Sequence, residues 1–82
     1  MSESTFIVTR VRDHSATPPL PAVVVTFQTT PPRHKRLTDY VRTIIITALG
    51  YYDAAVEYVV TEVKAESTQT WYFADDRFFA QS

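Results

Sequence analysis

Only one stretch of this chain repeats its apolar residues at helical spacing: Leu37 to Gly50, LTDYVRTIIITALG, which ends on the sole glycine. At 100° per residue, Leu37, Tyr40, Val41, Ile44 and Ala48 fall on one side with Ile45 at its margin, while Asp39, Arg42 and Thr43 fall on the other. Thr38 is the expected N-cap, and Gly50 can take the left-handed conformation that closes a helix. Propensity opposes the period, because Val41, Thr43, Ile44, Ile45, Ile46 and Thr47 are β-branched. Together they cost roughly 3 to 4 kcal/mol against alanine. Burying Leu37, Val41, Ile44 and Ile45 is worth about 1.5 to 3 kcal/mol each, so packing favours the helix inside a folded domain. A strand over 41–49 is the competing reading.

Everything around that segment reads as strand. In TFIVTRVR (Thr5 to Arg12), Ile7, Thr9 and Val11 share one face, and Phe6, Val8, Arg10 and Arg12 the other. The three prolines of Asp13 to Pro21 forbid regular structure there. Ala22 to Thr30 alternates again, with Val23, Val25 and Phe27 opposite Val24, Thr26 and Gln28, and it pairs antiparallel with the first strand. Val56 to Ala65 gives a third strand with Val59, Thr61 and Val63 facing inward, and Thr70 to Ala74 a fourth with Trp71 and Phe73 inward. Phe78 and Phe79 are expected to tuck against the domain rather than stay exposed.

The expected architecture is therefore α+β: a single β-β-α-β-β domain over residues 1–82, a four-stranded, mainly antiparallel sheet with one helix packed on one face. The first four residues are expected to fray. Ile7, Val11, Val23, Val25, Phe27, Val59, Val63, Trp71 and Phe73 would meet the helix. The open face would carry Arg10, Arg12, Thr26, Gln28, Glu62, Lys64 and Tyr72, along with the apolar remainder Phe6, Val8, Val24, Tyr58 and Val60. If the second and third strands run parallel in one sheet, the helix crosses between them.

Composition removes several functions. No cysteine is present, so disulfides, thiolate metal sites and cysteine nucleophiles are excluded. One glycine rules out phosphate-cradling glycine loops and the nucleophile elbow. His14 and His34 lie in separate loops without metal-ligand spacing, and no Ser-His-Asp arrangement can be argued. The expectation is a non-enzyme with no cofactor and no metal. The start MSESTFIVTR lacks the pattern of a signal peptide, and no apolar run approaches the ~20 residues of a membrane helix, so a cytoplasmic protein is expected.

Charge is unevenly spread. Residues 1–42 hold six cations against three anions, +3, and residues 43–82 two against six, −4. Arg33, His34, Lys35 and Arg36 precede the helix N-terminus, where positive charge opposes the macrodipole, so helix stability does not account for them. They mark an electrostatic patch for phosphate or an acidic protein surface. The outer side of the helix adds Arg42, Ile46 and Leu49, and the open sheet adds Arg10, Arg12 and Tyr72. These ten residues form the candidate partner-binding set.

The reading that fits most of these features is a protein-binding module, with homodimerisation through its spare apolar surface. Small inhibitors encoded by phages and mobile elements, anti-CRISPR proteins among them, share this size and absence of machinery, and act by occluding a partner surface. That likeness is one of class, carried by no motif. The second reading is a small nucleic-acid-binding domain using the basic loop and the open sheet. It lacks the consensus of the RNA-recognition sheet and places Glu62 on the same surface.

Overall fold

A computed structural model describes residues 3–11, 18, 21–75 and 77–81. Its elements are β1 (Ser4–Arg10), β2 (Val23–Thr29), α1 (Leu37–Leu49), β3 (Tyr58–Val63), β4 (Thr68–Ala74) and β5 (Arg77–Gln81). They form a single α+β domain in which an open antiparallel sheet, ordered β2-β1-β3-β4-β5, carries the helix on one face. Because β1 pairs antiparallel with both β2 and β3, those two strands run parallel to each other. The chain passes between them by way of α1, which contacts β1, β2 and β3.

The period of the helix and its closure at Gly50 are as the sequence predicts, and its N-terminal end differs. Val41, Ile44 and Ile45 are buried, with Tyr40 and Ala48 packed against them. Gly50 closes the helix at φ 85°, its N–H donating to the Ile46 carbonyl at 2.8 Å. The N-cap is Arg36, not Thr38, and makes no side-chain capping bond. Leu37 lies on the core-side azimuth yet is 42% exposed. Leu49, placed outside by the sequence reading, is instead half-buried against the core.

The sheet corrects the phase of two strands. Phe6 and Val8 of β1, and Tyr58, Val60 and Glu62 of β3, lie under the helix, while Ile7, Thr9, Val59, Thr61 and Val63 face away. The inward placement of Trp71 and Phe73 holds, and Val25 and Phe27 share their face. Register explains the difference. Phe6 pairs with Phe27, Val8 with Val25 and Val60, and Val60 with Trp71, and directly opposed residues share a face. In a period of two, the neighbouring frame inverts every side chain of a strand. Both frames of β1 and β3 are apolar enough to be read inward.

Two groups of rings fill the core. Phe27, Phe6, Tyr40 and Trp71 follow one another with centroids 5.8, 6.4 and 6.0 Å apart. Tyr52 lies 5.4 Å from Tyr58 and 5.7 Å from Phe73, which in turn lies 5.0 Å from Phe78. That last contact belongs to the fifth strand, which the sequence reading treated as a tail. Asp75 takes φ 54°, a left-handed conformation that aspartate tolerates better than most residues, and the chain turns back to pair Phe78 with Phe73. Phe78 thus tucks in as expected; the side chain of Phe79 lies outside the described residues.

On the sheet face away from the helix, the register lines up three rows: Gln28, Thr5, Val63 and Thr68; Thr26, Ile7, Thr61 and Thr70; Val24, Thr9, Val59 and Tyr72. None of these twelve residues carries a charge at neutral pH.

The division of the helix sets a stability test. Ile44→Ala should cost about 2 to 5 kcal/mol in urea denaturation, since it opens a cavity in the core. Ile46→Asp, at a position 44% exposed, should cost about 1 kcal/mol or less. Equal losses at both positions would contradict this orientation of α1.

Candidate functional site

The segment leading into α1 is built to project. Pro31 and Pro32 are half-buried and fix the backbone, after which Arg33, His34, Lys35 and Arg36 are all exposed. His34 Nε2 lies 3.0 Å from Thr43 Oγ1, and this bond folds the segment against the second turn of the helix. Thr43 lies one turn from Ile46 on the outer side of α1. The basic segment and the exposed isoleucine therefore occupy the same side of the molecule.

The other candidates divide. Arg42 is half-exposed and held within its own domain, with Nη1 3.5 Å from Asp39 Oδ1 and the guanidinium 5.8 Å from the centre of the Tyr52 ring. Arg10 leaves the predicted set. With β1 in its true phase Arg10 sits on the helix side, where its guanidinium donates to the Tyr51 hydroxyl and, at 2.8 Å, to the Pro21 carbonyl. It ties the end of β1 to the start of β2 and to the segment after α1. Tyr72 is on the open face as expected. Arg12 lies outside the described residues, as do His14, Asp13 and Asp76. The open face thus loses both Arg10 and Glu62, and the cation that its register brings to one corner is Arg77, beside Asp75 at 4.0 Å.

The sequence reading missed a buried polar pair. Glu62 is 4% exposed, and its Oε1 accepts a hydrogen bond of 2.8 Å from the Tyr40 hydroxyl. Oε2 has no hydrogen bond but lies 3.7 Å from Lys64 Nζ. Burial first, then the bond to Glu62 and its negative charge, push the Tyr40 pKa well above its ordinary value. The signal was present in YVVTEV: Glu62 shares its frame with Tyr58 and Val60, and Tyr40 lies on the inner side of α1. A carboxylate in an inward frame argues against that frame unless a partner for it is known.

This pair offers little chemistry. Among the described residues no histidine and no second carboxylate bonds to it, and no cluster of three His, Asp or Glu side chains could hold a metal ion. A cavity of about 520 Å³ opens at the same end of the sheet, lined by the mixed-charge set Glu3, Ser4, Pro31, Lys64, Ala65, Glu66 and Ser67. No helix among the described residues is long and apolar enough to cross a membrane. Compared with protein-family models, with curated proteins and with solved structures, the chain matches none.

Tyr40→Phe should cost about 1 to 3 kcal/mol near pH 7, because it leaves a buried carboxylate oxygen without its donor. The pH dependence has a definite sign. The phenol keeps its proton to higher pH folded than unfolded, so its contribution is complete below about pH 10 and is lost as pH rises beyond. Tyr58, whose pKa is also raised by burial, adds to the same loss. Urea titrations above pH 10 should therefore show a shallower alkaline decline in Tyr40→Phe than in the wild type; an equally steep one would contradict the assignment.

Proposed function

We propose that this chain is a non-enzymatic protein-binding module that covers an acidic protein surface with the outer side of α1 and the basic segment before it. The observation that carries this reading is Ile46, exposed on the outer helix surface, with the exposed Arg33, Lys35 and Arg36 in the segment that the His34–Thr43 bond holds against that side of α1. An exposed apolar side chain on the same side of the molecule as an exposed basic segment suits an acidic partner with an apolar pocket. The charges steer the encounter and the desolvated anchor slows dissociation. The cations also stand where they oppose the helix dipole, so the folded domain gains nothing from them locally.

Occlusion is the mode of action that follows. A domain with this surface, whose described residues assemble no metal cluster, is suited to act by covering what it binds, the mode of the small phage and mobile-element inhibitors. A phosphate backbone would use the same cations but gain little from an exposed isoleucine. The three rows of the open sheet carry no basic side chain, and Arg77 at its corner stands beside Asp75 at 4.0 Å, which weighs against the stacking platform of a nucleic-acid binder.

Affinity capture from the native host should yield a stoichiometric protein partner. Ile46→Asp should weaken that binding about ten-fold or more, and Arg33→Ala with Arg36→Ala should slow association and flatten its salt dependence. Oligonucleotide binding at low salt that falls steeply with added salt and with the same arginine substitutions, without a captured protein, would replace this reading with nucleic-acid binding.

A further inference from the structure

We propose that the open face of the sheet is a self-association surface, on which a second copy of this chain packs sheet against sheet about a two-fold axis near Thr61.

The first observation is charge. An antiparallel sheet with one solvated face ordinarily alternates apolar inward and polar outward. Here the outward rows hold threonines, β-branched apolar residues, Gln28 and Tyr72, with no acid or base, although 21% of the whole chain is Asp, Glu, Lys or Arg. A two-fold contact brings each patch against its own copy, so any net charge in it would meet the same sign. A patch whose twelve central residues are uncharged, with Arg77 at its corner beside Asp75 at 4.0 Å, is the kind that can face itself. A partner of opposite charge would find nothing here to select it, in contrast to the basic side of α1.

The second observation is desolvation. Three of the large apolar residues exposed on the described surface, Val24 at 62%, Val63 and Tyr72, stand on this face. Its polar groups are partly satisfied within the sheet: Thr61 Oγ1 lies 3.2 Å from Thr70 Oγ1, and Gln28 Nε2 donates to Thr5 Oγ1 at 3.2 Å. Covering such hydroxyls costs less than covering ones bonded only to water.

The third observation is area. Five strands about 4.8 Å apart and roughly 20 Å long present about 500 Å² in projection. Two copies together therefore remove on the order of 1,000 Å² or more from water, the size a specific interface needs. Short β-branched side chains of similar height suit sheets packed about 10 Å apart. β3 is the central strand of the five, and Thr61 is the middle of its three outward residues, which places the axis. Both helices then face outward, so a dimer displays two copies of the surface proposed above, while the dimer itself does not depend on that proposal.

Sedimentation equilibrium of the full chain between 1 and 100 µM decides it. The wild type should be dimeric within this range. Thr61→Lys sets like charges near the axis and should raise the dimer dissociation constant about a hundred-fold or more, with unchanged far-ultraviolet circular dichroism, while Thr61→Val should remain dimeric. Thr26→Lys, at an exposed site on the edge strand, provides the same reading if Thr61→Lys fails to fold. A wild type monomeric at 100 µM would overturn the proposal. So would a dimer that survives both lysine substitutions, or one that Ile46→Asp dissociates while they do not.

Discussion

The fold depends on the frame in which β3 meets the helix. In the observed frame Tyr58 and Val60 join Phe6, Val8, Trp71 and Phe73 under α1, and Glu62 comes inward with them. An ionised carboxylate in such a place is costly unless its oxygens find partners, and the Tyr40 hydroxyl supplies one at 2.8 Å. Tyr40 reaches it from the helix while its ring packs between Phe6 and Trp71. One residue thus ties helix, sheet and buried charge together. Slipping β3 by one residue would expose Tyr58 and Val60 and leave that hydroxyl without its acceptor.

From that frame follows the division of the surface. The inward face takes Phe6, Phe27, Tyr58, Trp71 and Phe73, the arginine clamp of Arg10 and the carboxylate, and the twelve outward residues of β1 to β4 are left without charge, with Arg77 at the corner beside Asp75. Among the described residues, the exposed charged side chains gather instead in the segment before the helix and at the ends and turns of the strands. Arg42, with Asp39 and Tyr52 beside it, and His34, bonded to Thr43, brace the helix surface, while Arg33, Lys35, Arg36 and Ile46 project from it. The molecule therefore has two unlike outer surfaces, one basic with an exposed isoleucine and one whose central rows are uncharged, on opposite sides of a single sheet.

The helix was legible in the sequence because a period of 3.6 over fourteen residues, closed by the sole glycine, has one consistent reading even against β-branched propensity. Strands β2 and β4 were legible because one of their frames is plainly heavier, Val25 with Phe27 and Trp71 with Phe73. Strands β1 and β3 were not, since FIV and YVV are apolar in both frames, and only the pairing of Phe6 with Phe27 and of Val60 with Trp71 chooses between them. β5 escaped notice because its turn rests on a positive φ at Asp75, which composition alone does not reveal. Of the candidate contact residues, the exposure of Arg33 to Arg36 and of Ile46 was readable from local sequence. Arg10 was misplaced by the same phase that misplaced Glu62, so one long-range error produced both.

The central claim is that the Tyr40–Glu62 bond fixes the frame of the sheet beneath the helix. A double-mutant cycle with Tyr40→Phe, Glu62→Gln and the two combined, read by urea denaturation at pH 7, measures it directly. The account requires a coupling free energy of about 0.5 to 3 kcal/mol between the two positions. Strictly additive losses would contradict it, because residues in the opposite frame of β3 would lie on different sides of the sheet and could not sense one another.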